Sequence, residues 1–123
     1  MAGEINSYRD LIVWQAGVDL AAACYQATRS LPRDELYGMT SHIRRASTSI
    51  PANIAEGHGR DSSGHYVQFL KVAQGSVKEL ETHILVCQRV GLIDAENGEG
   101  LLGRCDEIGR MLRALIRSIE RTA

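Results

Sequence analysis

Four histidines, three cysteines and a scatter of arginines carry whatever chemistry this 123-residue chain can perform. The histidines are His42, His58, His65 and His83, and His83 has a carboxylate at the i, i+4 spacing of a shared helical face, from Glu79. A di-metal helical bundle wants a Glu-x-x-His pair on each of two helices, and no such repeat exists here. No metal site and no cofactor are therefore expected. Glu56 and His58 form a nominal acid and base, yet no nucleophile, metal or oxyanion donor accompanies them. No catalytic residue is assigned, and the chain reads as a non-enzyme. Cys24, Cys87 and Cys105 lie far apart without a C-x-x-C pair, which fits neither a disulfide framework nor a zinc knuckle. Each falls on an apolar helical position, where a free cysteine behaves as a small buried hydrophobe.

The arginines are the remaining candidates. Residues 36–60 hold three arginines against one glutamate, and residues 104–121 hold five arginines against three acids, whereas the segment 90–103 carries three acids and no basic residue. A rotation of about 100° per residue puts Arg110, Arg113, Arg117 and Arg121 within an arc of about 80°. Such a stripe is either a solvated face favoured by the helix dipole or a contact for phosphate or a neighbouring subunit. Arg44 and Arg45 point about 100° apart, and one of them is expected to pair with Glu56, Glu79 or Glu81, because a guanidinium offers carboxylates a bidentate fork. The formal net charge of −1 argues against a generic nucleic-acid binder, which usually carries a clear basic excess. Distribution matters more than the sum.

These residues must be positioned by helices. Leu11, Trp14, Val18, Ala21, Tyr25 and Thr28 are spaced as a heptad seam. A second segment, opened by the carboxylate of Asp34, carries Leu36, Met39, Ile43, Ala46, Ile50 and Ile54 and ends at Gly57 to Gly59, residues suited to a left-handed cap. Ser62 or Ser63 caps the third, with Tyr66, Leu70, Ala73, Val77, Leu80, Ile84 and Cys87 in phase, and Gly91 stops it. The fourth shows Leu101, Cys105, Ile108, Leu112, Leu115 and Ile119. No segment alternates as a strand would. The expected fold is all-α: an antiparallel up-down-up-down four-helix bundle, one domain over residues 1–123, with helices at about 9–29, 34–58, 63–90 and 95–121.

Pro51 interrupts the second seam. It lacks an N–H for the carbonyl of Ser47, a cost of roughly 3 kcal/mol in an ordinary helix interior. Ser47, Thr48 and Ser49 offer hydroxyls to freed carbonyls, and Ala46, Ala52 and Ala55 leave room. One helix kinked at Pro51 is expected, not two. Asn53 either fixes register as a buried amide or caps the bend. Gly75, inside the third helix between Ala73 and Ser76, is expected to admit a close neighbour, within the bundle or from another subunit.

The runs VWQAG from residue 13, ELYGM from 35, IRRASTSIPANIAEGHGR from 43 and AQGSVKELE from 73 resemble the four helix bundle protein family. Its members are also described as proteins encoded by intervening sequences in bacterial 23S ribosomal RNA genes. The resemblance spans about residues 8–120. It rests on Trp14, Gln15, Tyr37, Gly38, Arg44, Arg45, Ile50, Pro51, Asn53, Ile54, Ala55, Glu56, Gly57, Gly75, Ser76, Glu79 and Leu80.

The resemblance implies an antiparallel bundle assembled as a homopentamer, with no established enzymatic activity and a role that is largely unknown. A related group, the accessory variability proteins of diversity-generating retroelements, works beside a reverse transcriptase and binds nucleic acid through a basic surface. By that likeness the expected function is a non-enzymatic homo-oligomeric scaffold or adaptor meeting RNA or DNA through Arg44, Arg45, Arg110, Arg113, Arg117 and Arg121. The alternative is a protein-docking factor for a reverse transcriptase or a ribosome-associated partner, without nucleic acid. The N-terminus has no signal pattern and no 18 apolar residues run together, so a cytoplasmic location and no membrane partner are expected.

Overall fold

A computed structural model describes residues 5–123, which hold four α-helices. They are α1 (Ile12–Thr28), α2 (Ser41–His58), α3 (Ser63–Arg89) and α4 (Ala95–Thr122). The main packing pairs are α1 with α2, α2 with α3, α3 with α4, and α1 with α4 closing the square. Contacts across α2 and α3 show their direction. His42 stacks on His83, Ser49 bonds to Ser76, and Gly57 meets Phe69. Residue numbers fall on one helix as they rise on the other, so the two are antiparallel. The same ordering relates Gly17 and Thr28 of α1 to Pro51 and Arg44 of α2.

The core is aliphatic. Leu20, Ile43, Ile50, Ile54, Leu70, Leu80, Ile84 and Leu112 are fully buried, each contributing on the order of 1.5–3 kcal/mol on removal from water. The α3 seam follows the sequence reading, with Leu70, Ala73, Val77, Leu80, Ile84 and Cys87 all buried. The α1 seam does so only at Ala21 and Thr28. Val13, Gly17, Leu20, Ala21, Cys24 and Thr28 are inside, while Val18 and Tyr25 are exposed. Two apolar stripes compete on this helix, and the bundle takes the one whose Gly17 lets α2 come close.

All three thiols are free and buried. Burial pushes Cys24 up to about 11, against a lowering hydrogen bond from Ser47 and the charge of Arg104. It pushes Cys105 up to about 12, helped by Cys24 and Glu81 and opposed by Lys78. Cys87 is raised by burial and then by the charge of Glu35.

The helix ends are largely fixed by side chains. Ser62 accepts from the His65 amide at 3.1 Å, as expected of an N-cap. Asp94 does the same for α4, accepting from the Asn97 amide at 2.8 Å. Gly91, with φ 81°, ends α3 in a Schellman turn: the Leu92 amide donates to the Cys87 carbonyl and the Gly91 amide to Gln88. Gly57 to Gly59 form no left-handed cap, since Gly59 has φ −80° and α2 ends in ordinary right-handed geometry. The start of α2 also differs from the sequence reading. A 3-10 turn at Arg33–Glu35 and a π turn at Leu36–Thr40 precede it, and Glu35, not Asp34, accepts from the Met39 amide at 3.1 Å.

The helix α2 passes through Pro51 as one element. Its ring is buried against α1, where a methyl added to Gly17 would stand 3.4 Å from the Pro51 Cβ. A departure from helical dihedrals lies upstream of α2, at Gly38, with φ −107° and ψ −116°. The hydroxyls beside Pro51 act one turn further upstream than expected. Ser47 and Thr48 both donate to the Arg44 carbonyl at 2.9 Å, while Ser49 pairs with Ser76 of α3 at 2.8 Å.

Candidate nucleic-acid interface

The four α4 arginines occupy the exposed face of the helix. Arg110 is held by Asp106 at 3.0 Å, an exposed i, i+4 pair of small energetic weight. Arg113 lies at the edge facing α3, where Gln74, Gly75, Val77 and Lys78 join Gly109 and Arg113 around a groove of about 290 Å³. A methyl on Gly75 would touch nothing within 4 Å, so that wall of the groove is bare backbone. Lys78 is paired with Glu81 at 3.0 Å but remains three-quarters exposed.

Lys71 shares the face of Lys78, being seven residues earlier and thus about 20° away around the helix. The antiparallel α3–α4 register, fixed by Gln88 against Gly98 and by the groove residues, brings Lys71 level with the turn of Arg117. Among the described residues no carboxylate lies within ion-pairing distance of Lys71, Arg113, Arg117 or Arg121. The result is a basic strip that takes cations from two helices. The sequence reading found only the α4 half, because Lys71 and Lys78 are cancelled by Glu79 and Glu81 when charge is summed along α3. The spacing of seven between the lysines was the available signal.

The paired arginines of α2 do not join this strip. Arg44 is half-buried, with its Nε donating to the Thr28 hydroxyl at 2.9 Å and its guanidinium 4.5 Å from the Tyr25 ring centre. The expected ion pair with Glu56, Glu79 or Glu81 is absent: Glu56 pairs with Arg60 at 3.7 Å, Glu79 with His83 at 3.3 Å and Glu81 with Lys78. An aromatic face and a hydroxyl on α1 were nearer than any carboxylate. Arg45 is exposed and lines a separate pocket with His42, Ala46, Ser49 and Glu79.

The other singled-out positions are architectural. Trp14 packs edge-on to Tyr8 at 5.2 Å. Asn53 donates to the Ser49 carbonyl at 2.8 Å and hydroxyl at 3.0 Å, bonds inside its own helix. Gly57 is buried where a methyl would lie 2.7 Å from the Phe69 Cβ. Gly75 faces open space, so it admits no close helix within the bundle. Tyr37 is 91% exposed at the tip of the π turn, beside Gly38, whose missing side chain leaves room for the Glu35 carboxylate. Among the described residues no group of three or more His, Cys, Asp or Glu side chains is placed to hold a metal ion.

Fold and packing define a four-helix bundle with no strand among the described residues. The sequence model of the 23S rRNA-intervening sequence proteins matches residues 9–114, and the chain belongs to that family. A solved structure of similar fold is a protein of unknown function from the S23 ribosomal protein family of Bacteroides thetaiotaomicron, at 24% identity and a TM-score of 0.77, covering 85% of this chain and 98% of that one. No curated protein matches the chain. No helix is long and apolar enough to cross a membrane, among the described residues.

Proposed function

We propose that the protein is a non-enzymatic, cytoplasmic, homo-oligomeric scaffold whose α3–α4 face meets the phosphates of RNA or DNA. The observation that carries this reading is the placing of Lys78 of α3 and Arg113 of α4 around one groove, with exposed Lys71 two turns beyond it on α3 and exposed Arg117 one turn beyond it on α4, in a chain with net charge −1. A local positive strip attracts a polyanion through its own field, whatever the total charge. A pentamer repeats the strip five times, and its favoured state rests on the family resemblance. Exposed apolar surface supports association: Ile5, Leu11, Ile12, Met111, Ala114 and Leu115 line a groove of about 490 Å³, with Ile12 72% exposed.

Light scattering at micromolar concentration tests the assembly; five protomer masses are expected, and a clean monomer overturns it. Fluorescence anisotropy with a structured RNA, a DNA duplex and an RNA–DNA hybrid at two salt concentrations tests the contact. Arg113→Glu and Arg117→Glu should abolish a salt-sensitive signal, and Lys71→Glu should weaken it. Binding that ignores all three substitutions removes the strip from the mechanism. A second reading, a docking platform for a reverse transcriptase or a ribosome-associated partner, is favoured by Leu36 and Tyr37, 48% and 91% exposed on one turn. Absence of binding to every nucleic acid would select it.

A further inference from the structure

On the other side of α3 from the basic strip, α2 and α3 flank an open surface pocket of about 310 Å³ lined by His42, Arg45, Ala46, Ser49 and Glu79. Its three donor side chains, at positions 42, 45 and 49, share one face of α2. Arg45 brings a permanent positive charge, and among the described residues no carboxylate is within ion-pairing distance of it. The hydroxyl of Ser49 is held in place from both helices, accepting from Asn53 Nδ2 at 3.0 Å and sharing a hydrogen bond with Ser76 at 2.8 Å. The imidazole of His42 is fixed by stacking on His83, with ring centres 5.3 Å apart and planes 22° apart.

A guanidinium, an imidazole and a hydroxyl around a small polar space suit a tetrahedral oxyanion. The carboxylate of Glu79 narrows the choice. One of its oxygens, Oε2, is engaged by His83 Nε2 at 3.3 Å, which leaves Oε1 as an acceptor on the pocket wall. An acceptor of this kind repels a fully ionised anion and receives a hydrogen bond from one that keeps a proton. Inorganic phosphate retains a proton at neutral pH, whereas sulfate and the diesters of a nucleic-acid backbone have none. We propose that this pocket is a binding site for hydrogen-bearing phosphate, separate from the α3–α4 strip and selective against sulfate and nucleic-acid diesters.

The test is a pair of titrations at neutral pH and fixed ionic strength, following backbone nitrogen–proton correlation spectra of the whole protein. Sodium phosphate should shift the amides of His42–Ser49 and Ser76–His83 along a saturating curve, with sulfate producing much smaller shifts there. Arg45→Ala, at an exposed and unpaired side chain, should weaken phosphate about tenfold or more, the loss of one charge-assisted hydrogen bond. Glu79→Gln should let sulfate bind as well as phosphate, because the amide no longer repels it. A short DNA duplex should leave the His42–Ser49 amides in place even where it shifts those of Lys71 and Arg113. Linear drift with phosphate, equal response to sulfate in the wild type, indifference to Arg45→Ala, or displacement of His42–Ser49 by the duplex would each overturn the assignment.

Discussion

Gly57 and Gly75 both stand in the runs on which the family resemblance was read, both lie in helices, and their surroundings are opposite. At Gly57 the backbone of α2 presses on α3: an added methyl would lie 2.7 Å from the Phe69 Cβ and 3.2 Å from the Tyr66 carbonyl oxygen. At Gly75, less than three turns further along α3, the same methyl would meet nothing. One glycine exists because two helices touch; the other keeps a stretch of helix backbone bare toward the outside. A shared residue type thus reports packing at one end of α3 and an open surface at its middle.

Substitutions can break or sharpen that contrast. Gly57→Leu should have the largest effect, a loss of about 3 kcal/mol, since Cβ atoms and backbone cannot move aside as a flexible side-chain tip would. Urea unfolding followed by circular dichroism measures it, and a loss below 1 kcal/mol, an ordinary surface value, would show that the helices can part freely. Ser49→Ala removes the hydroxyl bridge between the two regions and should cost about 1 kcal/mol. The same unfolding curves, with Ser76→Ala and the double variant, tell whether the two hydroxyls act as one unit. Gly75→Ala should go the other way, stabilising the protein by about 0.5–1 kcal/mol through a less flexible unfolded chain and better helix propensity. Destabilisation there would mean that another subunit covers the bare turn in solution.

Legibility in the sequence follows the same division. The α3 seam is readable because Leu70, Ala73, Val77, Leu80, Ile84 and Cys87 keep the spacing of three and four without a break, even though Val72, Leu85 and Val86 place further apolar residues on the exposed face. On α1 the stripe of Val18 and Tyr25 competes with that of Val13, Leu20 and Cys24, and spacing alone cannot choose between them. What chooses is tertiary: Gly17 opposite Pro51. Gly57 looked like a helix stop because glycine often is one, and its packing role needs Phe69 in view. For the interface, the arginine arc of α4 could be drawn from periodicity. Its lysine half on α3 could not be joined to it without the register between helices, and the turning of Arg44 toward Tyr25 and Thr28 depends on which elements lie nearest in space.

The buried thiols have a practical reach. Thiolate is the form that reacts with maleimides and iodoacetamides, and Cys24, Cys87 and Cys105 are all enclosed with proton affinities above normal. The natural chain is therefore a silent background for covalent probes. A single cysteine placed at exposed Arg121 would carry a dye or spin label alone, so distances between copies in an assembly could be read without first stripping the protein of its own cysteines.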